Sequence, residues 1–418
     1  MRGETTDRTI LAASMVGSTI AWYSLFLFSS GAIYISGAFL PPGSGTSSVT
    51  ATLGVFAISF LVRPFGALVL GHYGDTRGRK RMLLLTVILC SVSSATIGIL
   101  PGYAQIGDVA IIPVVAAYLV LGFGVGGEWG GAILLTMENA SENDRATRSA
   151  YAQATVGIGL LMGSVAYFLL GSILPSAQMA SYGWRIPFIL SLPLGAIGFA
   201  VRMRISETNL FSKVKEHGRE EKLPVAEILR RHKRSLILGT LVVGSSGTIF
   251  YVGATLLPVV FELEKIVPVE SAQVGIALLS LSEIVAVFVG GVASDRLGRR
   301  PMIWLANAGL LALIYPAFYF QSAAGLFVSM ILFGFVHGIG FAPAGAMISE
   351  IYPTSVRSSG NSLTYQLGNS LISGPAPFIS ALTGSFAFLL YPLYAICWAI
   401  IAIAAVSQVP ETKDTALA

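Results

Sequence analysis

Apolar residues along the chain form long runs that are separated by short polar connections. Each run holds about 20 residues, the length that a helix needs to cross about 30 Å of hydrocarbon. Backbone polar groups in lipid must be satisfied within the segment, so these runs are expected to be helical. The pattern predicts an all-α membrane protein with twelve transmembrane helices, which we place at residues 10–37, 48–74, 82–101, 110–137, 149–174, 184–204, 235–260, 271–293, 302–321, 324–350, 359–383 and 386–408.

A charged motif, Gly-x-x-x-Asp-x-x-Gly-Arg, occurs twice, at residues 71–79 and 291–299. Each copy is followed two apolar spans later by Glu-x6-Arg, at 138–145 and 350–357. Two motifs in the same order indicate an internal repeat. We therefore predict two six-helix bundles related by pseudo-two-fold symmetry. The predicted domains are an N-terminal bundle, a linker rich in charged residues and a C-terminal bundle, at residues 1–204, 205–234 and 235–418.

Composition agrees with lipid as the solvent of most of the chain. Hydrophobic residues make up 54% and charged residues 11% of the sequence, whereas about a quarter of a soluble domain is charged. A large soluble core is thereby excluded. Cys90 and Cys397 lie inside apolar runs, so neither a disulfide framework nor a metal site is predicted.

The basic residues predict the orientation of the chain. Of the 26 lysines and arginines, all but Arg63, Arg185 and Lys265 fall in the two termini, the linker or the even-numbered connections. Such residues concentrate on the cytoplasmic side of a membrane. We expect a multi-pass protein of the plasma membrane with both termini cytoplasmic. The net charge of +5 reflects this distribution and is no argument for nucleic acid.

Four ionisable residues fall near the middle third of the predicted bilayer. An ionisable side chain at this depth costs several kcal/mol, about 2.5–3.5 on insertion scales, and usually faces a cavity. Each is therefore a candidate site for substrate or proton binding, and the alternative is a purely structural partnership, such as an ion pair. The four are Arg63, Glu128, Glu283 and His337.

Glycines recur at every fourth position of the fourth span, at Gly122, Gly126 and Gly130. Rows of small residues allow helix backbones to approach closely. Glu128 lies within this row, so we expect a tightly packed helix that also presents an acid to a cavity.

Further polar and aromatic side chains interrupt corresponding spans of the two halves. Polar helices that meet near the midplane are typical of secondary transporters. The alternative is that several of these side chains only make hydrogen bonds between helices. The candidates for a central site are Trp22, Tyr23, Gln153, Tyr251, Tyr365, Gln366 and Asn369.

The repeated motifs predict a gate at the cytoplasmic ends of the helices. An aspartate there can interact with the positive end of a neighbouring helix, and an arginine can pair with the glutamate of Glu-x6-Arg. Such contacts would form when this mouth is shut and break when it opens; the alternative is that the charges only set orientation. The predicted gate residues are Gly71, Asp75, Gly78, Arg79, Glu138, Arg145, Asp295, Gly298, Arg299, Glu350 and Arg357.

These motifs resemble those of the major facilitator superfamily, and within it the metabolite:proton symporter family, which carries organic acids, proline and betaine. The resemblance covers essentially the whole chain. The stretches that carry it are the two repeated loops, Arg63-Pro64-Phe65-Gly66, and residues 126–132, 183–188, 204–208 and 350–357. It implies a twelve-helix monomer that works by alternating access. The chain departs from the family pattern at Ala21, Ser24 and Tyr118, where the family usually has charged residues, and at Leu121 and Thr76.

The sequence thus favours a secondary transporter of a small organic solute of the organic acid, amino acid or betaine type, coupled to protons. The alternatives are a proton-independent facilitator, or a sugar porter or organic-ion carrier of the same superfamily. If protons are coupled, we expect Glu128 or Glu283 to carry them, and Arg63 to bind a substrate carboxylate. The expected partners are the solute and the bilayer, with no nucleic acid and no cofactor other than H⁺. Only four histidines are present, far apart, and no enzyme is predicted.

Overall fold

The computed structural model of the protein describes residues 2–41, 46–137, 140–141, 143–203, 224–376 and 387–414. All regular structure in these residues is helical, which confirms the predicted fold class. We name the long helices α1 to α12 in chain order. In the N-terminal half they are α1 (Arg2–Ser30), α2 (Thr46–Arg77), α3 (Arg79–Ile99), α4 (Ile111–Met137), α5 (Arg145–Ile173) and α6 (Arg185–Met203).

The C-terminal half repeats this arrangement. Its long helices are α7 (Lys233–Tyr251), α8 (Val269–Leu297), α9 (Arg299–Tyr319), α10 (Ala323–Glu350), α11 (Arg357–Gly368) and α12 (Ala387–Gln408). A π turn extends α7 and another extends α11, at Val252–Leu256 and Asn369–Ser373, and a short helix at Leu257–Leu263 continues α7. Pro224–Arg231 forms a short helix before α7. The other short helices are Ala32–Phe39, Tyr103–Ile106, Gly107–Ala110, Ser176–Gln178 and Met179–Gly183.

Ten helices in the described residues are long and apolar enough to cross a membrane, and a bent pair in the first span provides an eleventh crossing. The predicted span at 359–383 is represented by α11 and its π turn, and residues 377–386 lie outside the described part. Residues 204–223 of the predicted linker also lie outside it, so the domain boundaries stay a prediction.

The first predicted span is not one straight helix. The chain bends by 66° between Ser14–Ser30 and Ala32–Phe39. At the break, a Cβ on Gly31 would lie 2.3 Å from the Tyr167 hydroxyl, which donates to the carbonyl oxygen of Leu27 at 3.2 Å. The absence of a side chain at Gly31 allows α5 to pack against the bend.

Helices α2 and α4 touch through their backbones, as the glycine row predicted. A Cβ on Gly126 would lie 2.3 Å from the carbonyl oxygen of Arg63, and one on Gly66 would lie 2.1 Å from that of Phe123. Since neither contact leaves room for a methyl group, glycine is required on both helices. The same row reaches the other half, because Gly130 packs against Ser362.

The two repeated loops have the same backbone geometry. Gly78 has φ +105° and Gly298 has φ +107°, values that a residue with a side chain rarely adopts. Each glycine turns the chain sharply from one membrane helix into the next, from α2 into α3 and from α8 into α9. We call the end of the molecule that carries Gly78 and Gly298 the basic face.

The glycine contacts give a matched pair of stability predictions. We expect Gly126→Ala to destabilise the protein by about 1–3 kcal/mol, the usual cost of overpacking. Gly71→Ala is the control, because a Cβ there meets no atom within 4 Å, and an alanine in a helix is about 0.5–1 kcal/mol more favourable than glycine. Thermal unfolding of the purified variants in detergent measures both. Equal unfolding temperatures for the two variants would contradict the packing argument.

Candidate functional site

A small cavity lies between the two halves near the middle of the molecule. Its volume is about 20 Å³, which is room for roughly one water molecule. Helices α1 and α5 contribute its wall from the N-terminal half, and α7, α10 and α11 contribute it from the C-terminal half. Its lining is rich in aromatic side chains and consists of Trp22, Phe26, Val156, Val243, Gly247, Phe250, Tyr251, His337, Phe341, Tyr365 and Asn369.

The structure brings five of the predicted site residues to this cavity: Trp22, Tyr251, His337, Tyr365 and Asn369. Two of them stand where a helix changes to a π turn, since Tyr251 precedes Val252–Leu256 and Asn369 begins Asn369–Ser373. Single π turns in membrane and soluble helices frequently occur at functional sites. Here they displace the backbone of α7 and α11 beside the cavity.

His337 and Glu283 form a buried pair on the α10 side of the cavity. The Nδ1 atom of His337 lies 2.9 Å from Oε1 of Glu283. The second carboxylate oxygen of Glu283 has no hydrogen-bond partner among the described residues. His337 itself lies 4.5 Å from the ring of Phe341, measured between centroids. This contact needs a proton on one of the two groups, because a bare imidazole nitrogen and a carboxylate oxygen are both acceptors.

Arg63 lies one aromatic ring away from the cavity. Its guanidinium carbon lies 3.6 Å from the centroid of Phe60, and the Phe60 ring packs edge-on against Tyr251, which lines the cavity. The side chain is fully buried, and none of its three nitrogens has a hydrogen-bond partner among the described residues. The described residues therefore provide no carboxylate that pairs with Arg63, which was the alternative to a role in binding.

The prediction that Glu128 presents its acid to a cavity is wrong. Its carboxylate forms an ion pair with Arg202 inside the N-terminal half, and both side chains are 1% exposed. Arg202 Nη1 lies 3.0 Å from Oε2 of Glu128, Ser18 donates to Oε1 at 2.6 Å, and Thr86 donates to Oε2. Arg202 falls at the end of the predicted sixth span and was counted only with the basic residues of the cytoplasmic side, so this partner was missed.

Gln153 and Gln366 make hydrogen bonds between the halves and do not line the cavity. Gln153 donates to the carbonyl oxygen of Phe341 at 3.0 Å and accepts from the indole N–H of Trp129 at 2.8 Å. Gln366 donates to the carbonyl oxygen of Gly126 at 3.1 Å. Trp129, which the sequence did not select, stacks on Tyr365 with ring centroids 3.6 Å apart. These contacts form the floor of the cavity toward the basic face.

Tyr23 also lies away from the cavity. Its hydroxyl donates to the carbonyl oxygen of Pro187 at 2.8 Å, which joins α1 to α6 within one half.

On the basic face, Asp295 joins the two halves. Its carboxylate accepts hydrogen bonds from the backbone N–H groups of Ala146 at 3.0 Å and Thr147 at 2.9 Å, and from the Thr147 hydroxyl at 2.7 Å. These groups open α5, whose N-terminal end carries the positive end of the helix dipole. The second repeated loop therefore caps a helix of the opposite half.

A charge network supports this contact. Arg299 lies 2.8 Å from Asp295 and 2.9 Å from Glu350, and Arg145 of the other half lies 3.8 Å from Glu350. Thr412 donates to Glu350 at 2.6 Å. In the first copy, the side chains of Asp75 and Arg79 and the whole of Glu138 lie outside the described part of the structure.

Arg357, a predicted gate residue, and Glu411, near the end of the chain, stabilise the turns around the gate. Arg357 donates to the carbonyl oxygens of Ser349 and Tyr352, at 3.0 and 3.2 Å. Glu411, which the sequence did not assign to the gate, accepts from the backbone N–H groups of Arg299 and Arg300. Partial burial opposes ionisation of Glu411, but its backbone donors outweigh this and hold the pKa of its carboxyl below the usual value.

The halves also meet on the opposite face. Gln273 of α8 donates to the carbonyl oxygen of Ser30 at 3.0 Å, and Ser370 donates to that of Phe60. Leu53 of α2 packs with Val259 of the short helix Leu257–Leu263. The two halves thus make contacts both toward the basic face and toward the opposite face.

Comparison with known proteins gives consistent matches over the whole chain. The family model described as sugar (and other) transporter matches residues 9–227 and 209–418. The inner membrane metabolite transport protein YhjE of Escherichia coli is 33% identical over 89% of this chain and 87% of its own length. The ectoine/proline transporter ProP of Corynebacterium glutamicum is 30% identical over 89% of this chain and 77% of its own length.

A solved structure shares the fold. The proton:xylose symporter XylE bound to 6-bromo-6-deoxy-D-glucose superposes with a TM-score of 0.80 at 15% identity, covering 99% of this chain and 98% of that chain.

The ion pair of Glu128 with Arg202 predicts a large loss of stability when one partner is removed. We expect Arg202→Leu to cost about 3–5 kcal/mol, because it leaves Glu128 buried without its counter-charge. The double variant Arg202→Leu/Glu128→Leu should recover most of this loss, since no charge is then left unpaired. Thermal unfolding in detergent tests both variants, and a single variant as stable as the wild type would contradict the assignment.

Removal of the Asp295 carboxylate should loosen the first turn of α5. Loss of a helix cap costs about 1–2 kcal/mol, so Asp295→Ala should raise amide exchange at Ala146 and Thr147 by roughly 10-fold. Glu270→Ala, an exposed acid at the far end of the same helix, is the control. Hydrogen–deuterium exchange with mass spectrometry measures the effect, and unchanged exchange in this turn would contradict it.

Proposed function

Because the chain belongs to the sugar (and other) transporter family of the major facilitator superfamily, we propose that it carries a small organic solute across the membrane by alternating access, coupled to protons. The solute is of the organic acid, amino acid or betaine type. The ectoine/proline transporter among its relatives supports this range. The basic face is cytoplasmic in this proposal, in keeping with the distribution of its arginines and lysines.

The contacts between the halves support alternating access. We call the contact surface between the two halves the seam. It closes toward the basic face through Asp295 at the start of α5, and toward the opposite face through Gln273 at the end of α1. Breaking one set while the other persists opens the cavity to one side only. Within the N-terminal half, backbone contacts such as that of Gly126 with Arg63 hold the helices together, so we expect this half to move as a unit.

The buried pair of Glu283 and His337 is the observation that carries proton coupling. His337 lines the cavity and Glu283 lies directly behind it, and a proton on the pair removes or redistributes charge that would otherwise be buried when the two halves close. Glu128 does not serve this purpose, because Arg202 neutralises it. Proton binding is thereby assigned to the C-terminal half.

A proton-independent facilitator is the second candidate. Ala21, Ser24 and Tyr118 stand where related transporters usually have charged residues, and Tyr118 donates to the carbonyl oxygen of Leu25 instead. The N-terminal half then supplies no acid to the cavity from these positions. In a facilitator, the concentration gradient of the solute alone drives the transport cycle.

Uptake into proteoliposomes separates the two candidates. With proline, glycine betaine and shikimate as trial solutes, we expect an inward proton gradient to drive accumulation by the wild type. Glu283→Gln keeps the shape of the side chain but cannot change charge, so it should lose accumulation by at least about 10-fold and retain solute exchange.

Glu270→Gln is the matched control on the same helix, because this acid is exposed and lies far from the cavity. It should accumulate solute like the wild type. Equal uptake with and without the gradient would contradict proton coupling and leave the facilitator.

A further inference from the structure

We propose that Arg63 is the carboxylate-binding group of the transport site, and that the solute is a compact zwitterion bound between Arg63 and the pair of Glu283 and His337. This inference rests on the proposed function and deepens it by naming the substrate class and its orientation.

The three charged centres at membrane depth are partnered to different degrees. The terminal nitrogens of Arg202 bond to Glu128, to Ser18 and to the carbonyl oxygen of Leu83. Glu283 bonds to His337 through one oxygen. Arg63 is fully buried and has no acidic partner in the described residues: none of its nitrogens makes a hydrogen bond of ordinary geometry, and its neighbours are the ring of Phe60 and the phenol of Tyr251.

A guanidinium in this position is unfavourable unless an anion completes it. Burial removes its hydration, and only hydrogen-bond acceptors replace what is lost. Its planar fork matches the two oxygens of a carboxylate. The two acids at membrane depth are already engaged, Glu128 with Arg202 and Glu283 with His337. A carboxylate brought by the solute is therefore the partner that fits.

The surroundings of Arg63 favour a ligand that is small and charged at both ends. The guanidinium rests on the Phe60 ring, which packs edge-on against Tyr251 of the cavity wall. Glu283 bonds to His337, which also belongs to the wall. A positive charge therefore lies behind the Tyr251 side of the cavity, and an acid lies behind its His337 side.

The walls between these two sides suit an organic cation. Trp22, Phe250, Tyr251 and Tyr365 present aromatic rings to the cavity, and such rings attract quaternary or secondary ammonium groups. A carboxylate on Arg63 then places the ammonium among the rings on the side of Glu283. Since Tyr251 lies between Arg63 and the cavity, its ring must move aside when the carboxylate binds.

Matched solutes test the carboxylate contact by calorimetry on the purified full chain. Glycine betaine and L-proline are zwitterions, choline has the cation without the carboxylate, 3,3-dimethylbutanoate has the carboxylate without the cation, and D-xylose is uncharged. We expect the wild type to bind at least one zwitterion more tightly than the other three solutes. Arg63→Leu should weaken zwitterion binding by at least about 30-fold, and Arg63→Lys should weaken it less.

Choline binding should be the same in the wild type and Arg63→Leu. Zwitterion binding that survives Arg63→Leu, a wild type that binds no zwitterion, or a wild type that prefers D-xylose would each overturn the proposal.

Stability provides an independent readout. Arg63→Leu removes an unpaired buried charge, so its unfolding temperature should equal or exceed that of the wild type, whereas Arg202→Leu should lower it. A drop for Arg63→Leu as large as that for Arg202→Leu would show a structural role and overturn the proposal. If Arg63 binds the carboxylate but no proton gradient drives uptake, only the proton coupling proposed above fails.

Discussion

A charged side chain that is buried at membrane depth needs a partner. The buried charges of this structure differ in how completely they are paired, and the arrangement of the two halves follows these differences. Glu128 and Arg202 satisfy each other and join helices of a single half, so they contribute to a rigid bundle. Glu283 is satisfied through one oxygen only, by a histidine that faces the cavity. Arg63 is buried on an aromatic ring without an acceptor. The fully paired charges thus lie inside one bundle, and the incompletely paired charges lie near the place where a solute would bind.

The two halves are held together differently from the way each is held together internally. Within the N-terminal half, α2 and α4 approach so closely that only glycine fits. Between the halves, helices also approach closely, since a Cβ on Gly291 of α8 would lie 2.9 Å from the carbonyl oxygen of Ala146 of α5. Polar contacts and ring stacks add to this packing, such as Asp295 with the start of α5 and Trp129 with Tyr365. Polar contacts exchange for water or for other partners at a modest cost, so these are the contacts between the halves that a relative motion can break and remake.

The helices and the gate could be predicted because each corresponds to a pattern that recurs in the sequence. Apolar runs marked the spans, and the second copy of the charged motif placed Asp295 and Arg299 at a helix end, where the structure finds them. The partner of Glu128 could not be predicted, since depth along a helix says nothing about which face a side chain occupies. Arg202 sits at the end of its helix, where a basic residue is usually a topological marker. The bend at Gly31 was missed for a similar reason, because the side chain that packs against it, Tyr167, belongs to another helix.

The first helices of the two halves differ at an equivalent level. By the spacing that separates the two charged motifs, Gly31 corresponds to Tyr251, the residue before the π turn of α7. The chain bends by 66° at Gly31, whereas Lys233–Leu263 passes through its π turn as one continuous span. The repeat is therefore asymmetric at the end of the molecule opposite the basic face, where Ala32–Phe39 of the N-terminal half is joined to α1 at an angle and its counterpart in the C-terminal half extends α7. A hinge-like movement at this end is thus available to one half only.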